Sequence, residues 1–286
     1  MLKRGLVLVA VVAGIAAAAT GVAHAIEGGA PDAANQYAGV GLVVFYGSNG
    51  RPITLCTGAL ISPTVLLTAG HCAGVEPSGA VPVRAQVWFD NGYPTPIPRG
   101  TWSSTSGDPC EGVAAGYPCT GDVGGTPVPD PGWTGLIDLP NSHDIGVVVL
   151  DHAVSLPTYP VAPTGTLDAL AKKRGQDTSL TVVGYGVQVE APTMELFQRT
   201  RYVGSVKVTN LNSSLVDGYN VRISASPGNG TGGSGICTGD SGGPLFQDGR
   251  IVAVASFSVG KYCSGNSGAF RVDTAQAQSF LGLYLQ

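Results

Sequence analysis

Short runs of Val, Leu, Ile and Thr recur along the chain, separated by clusters of Gly, Pro and Asn. The runs at Val40–Tyr46, 64–68, 85–89, 145–150, 180–183, 202–209, 221–225 and 251–257 have the length and β-branched content of strands. Almost no helical period lies between them, which favours antiparallel sandwiches or barrels over alternating strand and helix. The tail is the exception. Ala277, Phe280, Leu281, Tyr284 and Leu285 fall on one helical stripe and Asp273 stands where a cap would, so a C-terminal α-helix docked on the core is predicted. Residues 91–139, crowded with Gly, Pro, Ser and Thr, read as a long loop excursion. Residues 155–166, with Pro157, Pro160 and Pro163, read as a linker between two halves.

A length of 286 residues accommodates one large domain or two smaller ones. Charged residues make up only 12%, whereas Gly (43) and Pro (20) together exceed a fifth of the chain. That composition fits a folded, turn-rich protein with uncharged surfaces. Fifteen basic against 19 acidic residues leave a net charge of -4, so no basic field is available to hold a phosphate backbone and nucleic acid is not expected as a partner. At the start, Lys3 and Arg4 precede an apolar run over 5–19, and Ala23-His24-Ala25 supplies the small residues of a signal-peptidase site. The run is shorter than the roughly 20 residues of a membrane span. Residues 1–25 therefore read as a signal peptide cleaved after Ala25, which predicts a secreted, extracellular protein with no membrane contact once the signal is gone. Cys56, Cys72, Cys110, Cys119, Cys237 and Cys263 form an even set that suits an oxidising compartment. No C-x-x-C is present; the spacing suggests three local loops, 56 to 72, 110 to 119 and 237 to 263, with the pairing left open.

Histidine is scarce: His24, His71, His143 and His152 are all there are, and the first leaves with the signal. His71 ends an apolar strand, in Leu66-Leu67-Thr68-Ala69-Gly70-His71-Cys72. Alone it would be a packed bystander. Thr238-Gly239-Asp240-Ser241-Gly242-Gly243-Pro244 changes that, because flanking glycines let the N–H groups of Gly239 and Ser241 converge on one oxygen. A serine needs a base in hydrogen-bond reach and a third group to orient that base. His71 and Asp144, the latter just ahead of an apolar strand, supply the two. Gly239 to Gly243 also matches the G-x-S-x-G elbow of lipases, but that fold needs a histidine after the serine and none follows Ser241. An order with aspartate first would rest on Asp32, in a turn-like stretch beside Pro31. The order His, Asp, Ser fits.

These motifs resemble the chymotrypsin-like, or trypsin-like, secreted serine proteases. Thr68 to Cys72, Asp144 and Gly239 to Pro244 carry the likeness; Ile26-Glu27-Gly28-Gly29 resembles the processed amino terminus, Cys56 to Ser62 the strand before the histidine, and Gly184-Tyr185-Gly186 a strand of the second barrel. The resemblance implies an all-β fold of two packed antiparallel six-stranded β-barrels with a C-terminal α-helix: 26–156 carrying His71 and Asp144, and 157–286 carrying Ser241. It implies disulfides Cys56–Cys72 and Cys237–Cys263, which leaves Cys110 and Cys119 to each other in an unmatched insertion. It also implies Ser241 as nucleophile, His71 as base and Asp144 as orienter, with Gly239 and Ser241 as the oxyanion hole. Ser256 would support Asp144, and a new amino terminus at Ile26 would pair with Asp240, although Glu27 departs from the usual apolar second residue.

By the same likeness Gly235 is the floor of the primary pocket and is not an acid. Ile236 and Phe257 make the pocket apolar, Gly268 leaves one wall open, and Ser258 stands on the other. The implied function is a monomeric serine endopeptidase acting on polypeptides, with uncharged or apolar residues before the cut and no cofactor or metal. A catalytically silent binding relative and an esterase on the same scaffold are the alternatives. Gly230 to Gly235 matches G-x-G-x-x-G without the helix a dinucleotide site needs. Asn212 and Asn229 head glycosylation sequons, and His143 and His152 read as solvated neighbours.

Overall fold

A computed structural model describes residues 26–92, 118–135, 137–172, 178–191, 194–196, 198–224, 233–259, 263 and 265–285. The expected signal peptide, Cys110, Asn229 and most of the 91–139 stretch lie outside the described residues. After β1 (Ala30–Pro31), the strands β2 (Val40–Tyr46), β3 (Pro52–Ser62), β4 (Val65–Thr68), β5 (Arg84–Trp88), β6 (Val123–Pro129) and β7 (Gly146–Leu150) close a barrel in the order β2-β3-β4-β7-β6-β5. A single turn, α1 (Gly70–Ala73), follows β4, and α2 (Thr166–Ala171) precedes the second barrel. That barrel closes through β8 (Ser179–Gly184), β11 (Tyr202–Asn210), β12 (Asn220–Ser224), β15 (Asn266–Arg271), β14 (Arg250–Ser258) and β13 (Pro244–Gln247), with β8 pairing both β11 and β13. β9 (Val189–Ala191) and β10 (Met194–Leu196) form a separate hairpin, and α3 (Ala275–Leu281) ends the described chain. The pairings within both six-stranded barrels are antiparallel.

The strand period explains why β2 is apolar throughout. Val43 and Phe45 point into the first barrel with Leu60, Leu66, Val87 and Val148. Their neighbours Val40, Leu42, Val44 and Tyr46 face the other way, against Val183, Tyr185, Phe246 and Val254 of the second barrel. Every residue of β2 is therefore buried, half in a barrel and half in the seam between barrels. Each large apolar side chain so placed contributes roughly 1.5–3 kcal/mol, and separating the barrels would expose the whole seam set.

Two polar side chains fasten the seam. Thr57 on β3, fully buried, donates its hydroxyl to the Gly239 carbonyl (2.9 Å) and accepts from the Tyr185 N–H (3.0 Å). Its own N–H donates to the Ser241 carbonyl at 2.8 Å. Arg201, just ahead of β11 and wholly buried, donates to the Asp32 carboxylate (2.9 Å), the Val40 and Phe89 carbonyls (2.9 and 3.0 Å), the Tyr185 hydroxyl and Asn35.

Among the departures from the sequence reading, three bear on the fold. β6 lies inside the stretch read as a loop; its sequence, VGGTPVP, hides strand character behind two glycines and two prolines. Helix α3 is capped by Thr274, whose hydroxyl accepts from the Ala277 N–H, and not by Asp273. Asp273 is buried and engaged by the Leu167 N–H and the Arg271 guanidinium. The helix also stops at Leu281, so Tyr284 and Leu285 fall beyond it, while Ala277, Phe280 and Leu281 dock on the seam as the stripe predicted. Thr57→Val, which keeps the shape but strands the Gly239 carbonyl and the Tyr185 N–H, is expected to lower unfolding stability by about 1–3 kcal/mol, measured by denaturant titration.

Candidate active site

His71 sits on α1, two residues past the Ala69 cap, where the buried strand β4 gives way to a turn tied by the Cys56–Cys72 disulfide to β3. The tie and the buried strand leave the ring little freedom. Cys56, His71 and Cys72 bring potential metal ligands together, but both sulfurs are committed to the disulfide. Asp144, two residues before the neighbouring strand β7, has no solvent exposure. Its Oδ1 accepts the His71 backbone N–H at 2.7 Å, and its Oδ2 lies 2.9 Å from His71 Nδ1. The Ser256 hydroxyl of β14 donates to the same Oδ2. With Nδ1–H given to Asp144, His71 Nε2 is left as a free acceptor.

Burial opposes charge on both partners, and the pair overcomes it. For His71, burial pushes the imidazole pKa down, but the Asp144 charge and hydrogen bond, helped by Glu76, hold it above the usual 6.5. For Asp144, burial pushes up, while the His71 charge, its two hydrogen bonds and the Ser256 hydroxyl hold the carboxyl below the ordinary aspartate value.

Ser241 lies in the turn between the Cys237–Cys263 disulfide and β13. Gly239 and Gly242 have φ of 94° and 77°, a region that side chains other than glycine rarely enter. A side chain at 242 would also run into Thr68, Thr57 and Ala69, so this glycine is what brings the serine turn onto the residues leading to His71. The N–H groups of Asp240, Gly242 and Gly243 are spent on the Cys237, Ala255 and Asp240 carbonyls. Among the described residues, those of Gly239 and Ser241 have no acceptor. No hydrogen bond joins the Ser241 hydroxyl to the His71 ring among the described residues.

Asp240, the residue before the serine, is fully buried, and its two oxygens accept the Gly186 and Cys237 N–H groups at 2.8 and 2.9 Å. Burial pushes its carboxyl up to about 7 against those two bonds. Ile26 is also fully buried, and its side chain converges with the Asp240 carboxylate on Gly184. A cavity of about 150 Å³ opens beside Ser241, lined by Ile236, Thr238, Ala255, Ser256, Phe257, Ser258 and the Cys237–Cys263 disulfide. Two residues expected there sit differently. Gly235 is engaged by Glu27 in a β-bridge, its N–H donating to the Glu27 carbonyl at 2.8 Å. Gly268 does not leave an open wall, because the Phe257 ring of the paired strand lies directly over it.

The sequence reading missed three residues. Thr57 carries no signal beyond its place in an apolar strand. Trp133, whose ring centroid lies 6.3 Å from that of His71, is an isolated aromatic among Pro and Gly, which is a readable sign of a built loop. Asp130 corrects the view of His143 as solvated, since its Oδ1 lies 2.9 Å from His143 Nδ1; His152 is exposed.

The sequence model of the trypsin family matches residues 128–281, more than half of the chain. The chain belongs to the trypsin family. A phenoloxidase-activating enzyme of Bombyx mori is 28% identical over 260 residues, covering 79% of this chain and 52% of that protein. Snake venom serine protease KN9 of Trimeresurus stejnegeri is 24% identical over 204 residues, covering 70% and 66%. The chain thus spans about half the length of the first relative and 66% of the second. Among solved structures, HL collagenase superposes with a TM-score of 0.61 at 17% identity, covering 90% of this chain and 98% of that one. Mouse neuropsin, a serine protease, gives 0.59 at 16% (90% and 99%), and human heparin binding protein 0.57 at 20% (91% and 97%). These neighbours show the trypsin-family fold of two antiparallel β-barrels.

Asp144→Asn is expected to drop the His71 pKa below the usual 6.5, because burial then acts without the opposing carboxylate. Imidazole C–H shifts followed by NMR across a pH titration check this.

Proposed function

We propose that this trypsin-family chain is a secreted serine endopeptidase that hydrolyses peptide bonds through an acyl-enzyme. The observation that carries the reading is the buried Asp144–His71 couple beside a serine turn with two unspent N–H groups. Ser241 Oγ adds to the scissile carbonyl carbon as its proton passes to His71 Nε2, and the oxygen, now negative, takes the Gly239 and Ser241 N–H bonds. His71 then gives that proton to the amine nitrogen as the C–N bond breaks. Water repeats the sequence on the acyl ester and restores the Ser241 hydroxyl. Loss of one oxyanion donor typically costs about 3 kcal/mol. The Ser241–His71 hydrogen bond forms as substrate arrives, as catalytic hydrogen bonds commonly tighten in the substrate complex.

Cleavage after Ala25 activates the protein. The ammonium created on Ile26 serves as counter-ion to Asp240, a carboxyl that burial otherwise holds near 7. The pocket takes uncharged, small or apolar side chains before the cut: no acid stands among the described residues of its lining, and at about 150 Å³ it is well below the roughly 300 Å³ or more of a typical ligand pocket.

Processed protein is expected to be labelled one-to-one at Ser241 by an organophosphonate and to cleave peptides, with Ser241→Ala losing label and roughly 10⁴-fold or more of kcat. Absence of labelling would favour a silent binding protein, ester hydrolysis without peptide cleavage would favour an esterase, and a preference for Arg or Lys would overturn the pocket assignment. In uncleaved protein the Asp240 contribution to stability should be fully present below the unfolded aspartate pKa and be lost as pH rises through about 7, because folding raises the Asp240 pKa. Processing should remove that loss, and Tm measured against pH on both forms tests it.

A further inference from the structure

We propose that Asp130 is a positioning residue for the reacting groups, aiming Asp144 through His143 and bracing the His71 loop through Trp133. The inference rests on the catalytic reading above. Asp144 is the middle of a tight turn in which the Ile145 N–H donates to the His143 carbonyl at 2.8 Å. His143 holds φ of 50°, a left-handed conformation that a non-glycine residue keeps only when its surroundings hold it. Asp130 grips both sides of that turn. Its Oδ1 lies 2.9 Å from His143 Nδ1, and its backbone N–H donates to the Ile145 carbonyl at 2.8 Å. The same Oδ1 accepts the Gly132 N–H at 2.8 Å, and Gly132 has no room for a side chain because the His143 ring lies against it.

Asp130 also reaches the base. Its carbonyl accepts the Trp133 N–H at 2.9 Å, and the Trp133 indole N–H donates to the Val75 carbonyl at 2.9 Å, just beyond α1. The indole packs over Gly74, beside the His71 ring. Asp130 thus links two turns: its largely buried carboxylate holds the one that aims Asp144, and its backbone carbonyl, through Trp133, holds the one that carries His71. The second barrel reaches the same place through α3, where the side-chain amide of Gln276 pairs with that of Asn141, its oxygen accepting at 3.1 Å and its nitrogen donating at 3.3 Å. Asp130 makes no contact with Ser241 or the cavity beside it, so its effect passes through the geometry of the Asp144–His71 couple. A displacement of about 1 Å in such a couple can cost on the order of 100-fold in rate.

The test compares Asp130→Ala, Asp130→Asn, His143→Ala and His143→Asn in processed protein. Asp130→Ala is expected to lower kcat and the rate of Ser241 phosphonylation together by about 10–100-fold, with KM changed less than about threefold. The low-field NMR resonance of the proton between His71 and Asp144 should shift or broaden. Asp130→Asn keeps an acceptor and should recover most of the loss; His143→Asn, which tolerates the left-handed turn, should lose less than His143→Ala. An Asp130→Ala protein that folds with an unchanged low-field resonance and unchanged kcat overturns the proposal, as does a loss confined to KM. If Asp130→Ala does not fold, the His143 pair decides on the same readouts. If the parent neither cleaves nor labels, the catalytic reading fails, and the low-field resonance still tests the positioning role alone.

Discussion

A carboxylate with no access to water is the constraint around which this molecule is arranged. Ionised Asp144 is tolerable only because the His71 backbone, the His71 ring and the Ser256 hydroxyl all donate to it. Two of those donors come from the first barrel and one from the second, so the charge is satisfied only when the barrels are seated on each other. The seam also does the seating. Thr57 uses its hydroxyl and its N–H to fix β3 against Tyr185, Gly239 and Ser241, which places the serine turn above the strand that leads to His71. Packing, orientation of the imidazole and placement of the hydroxyl are therefore one problem with one solution.

One of the two irregularities in β14 shapes the pocket as well. The register slips between Ala255 and Phe257, leaving Ser256 out of the ladder with its hydroxyl free to reach Asp144. The next residue, Phe257, pairs with Gly268 and lays its ring across it. The bulge that completes the carboxylate's hydrogen bonds thus also narrows the cavity beside Ser241.

Much of this was legible in the chain. Strand runs with clear β-branched content, such as Val40–Tyr46 and 251–257, appear nearly as read, and the motifs around His71, Asp144 and Ser241, with chain order removing the competing arrangements, selected the His71 and Asp144 that the fold pairs. The misses have local causes. β6 is paired because β5 and β7 leave a gap in a closed barrel, a demand of the whole sheet that Gly and Pro in its own sequence contradict. Asp273 was the better cap by composition, but its carboxylate is required by Arg271 and Leu167, so Thr274 takes the role. The fill of the cavity depends on where a ring on the paired strand comes to rest, which no spacing along a chain encodes. The link from Asp130 to His143 joins residues 13 apart across two turns, and only the folded loop brings them together.

Arg201 has a consequence for how the chain comes off the ribosome. A guanidinium cannot give up its proton, and this one finds acceptors in the segment around Asp32, at the edges of β2 and β5, and on Tyr185. While only the earlier half has been synthesised, the Asp32 carboxylate and the Val40 and Phe89 carbonyls stand without the cation that satisfies them in the fold, so the first barrel relies on a residue of the second for its own buried polar groups.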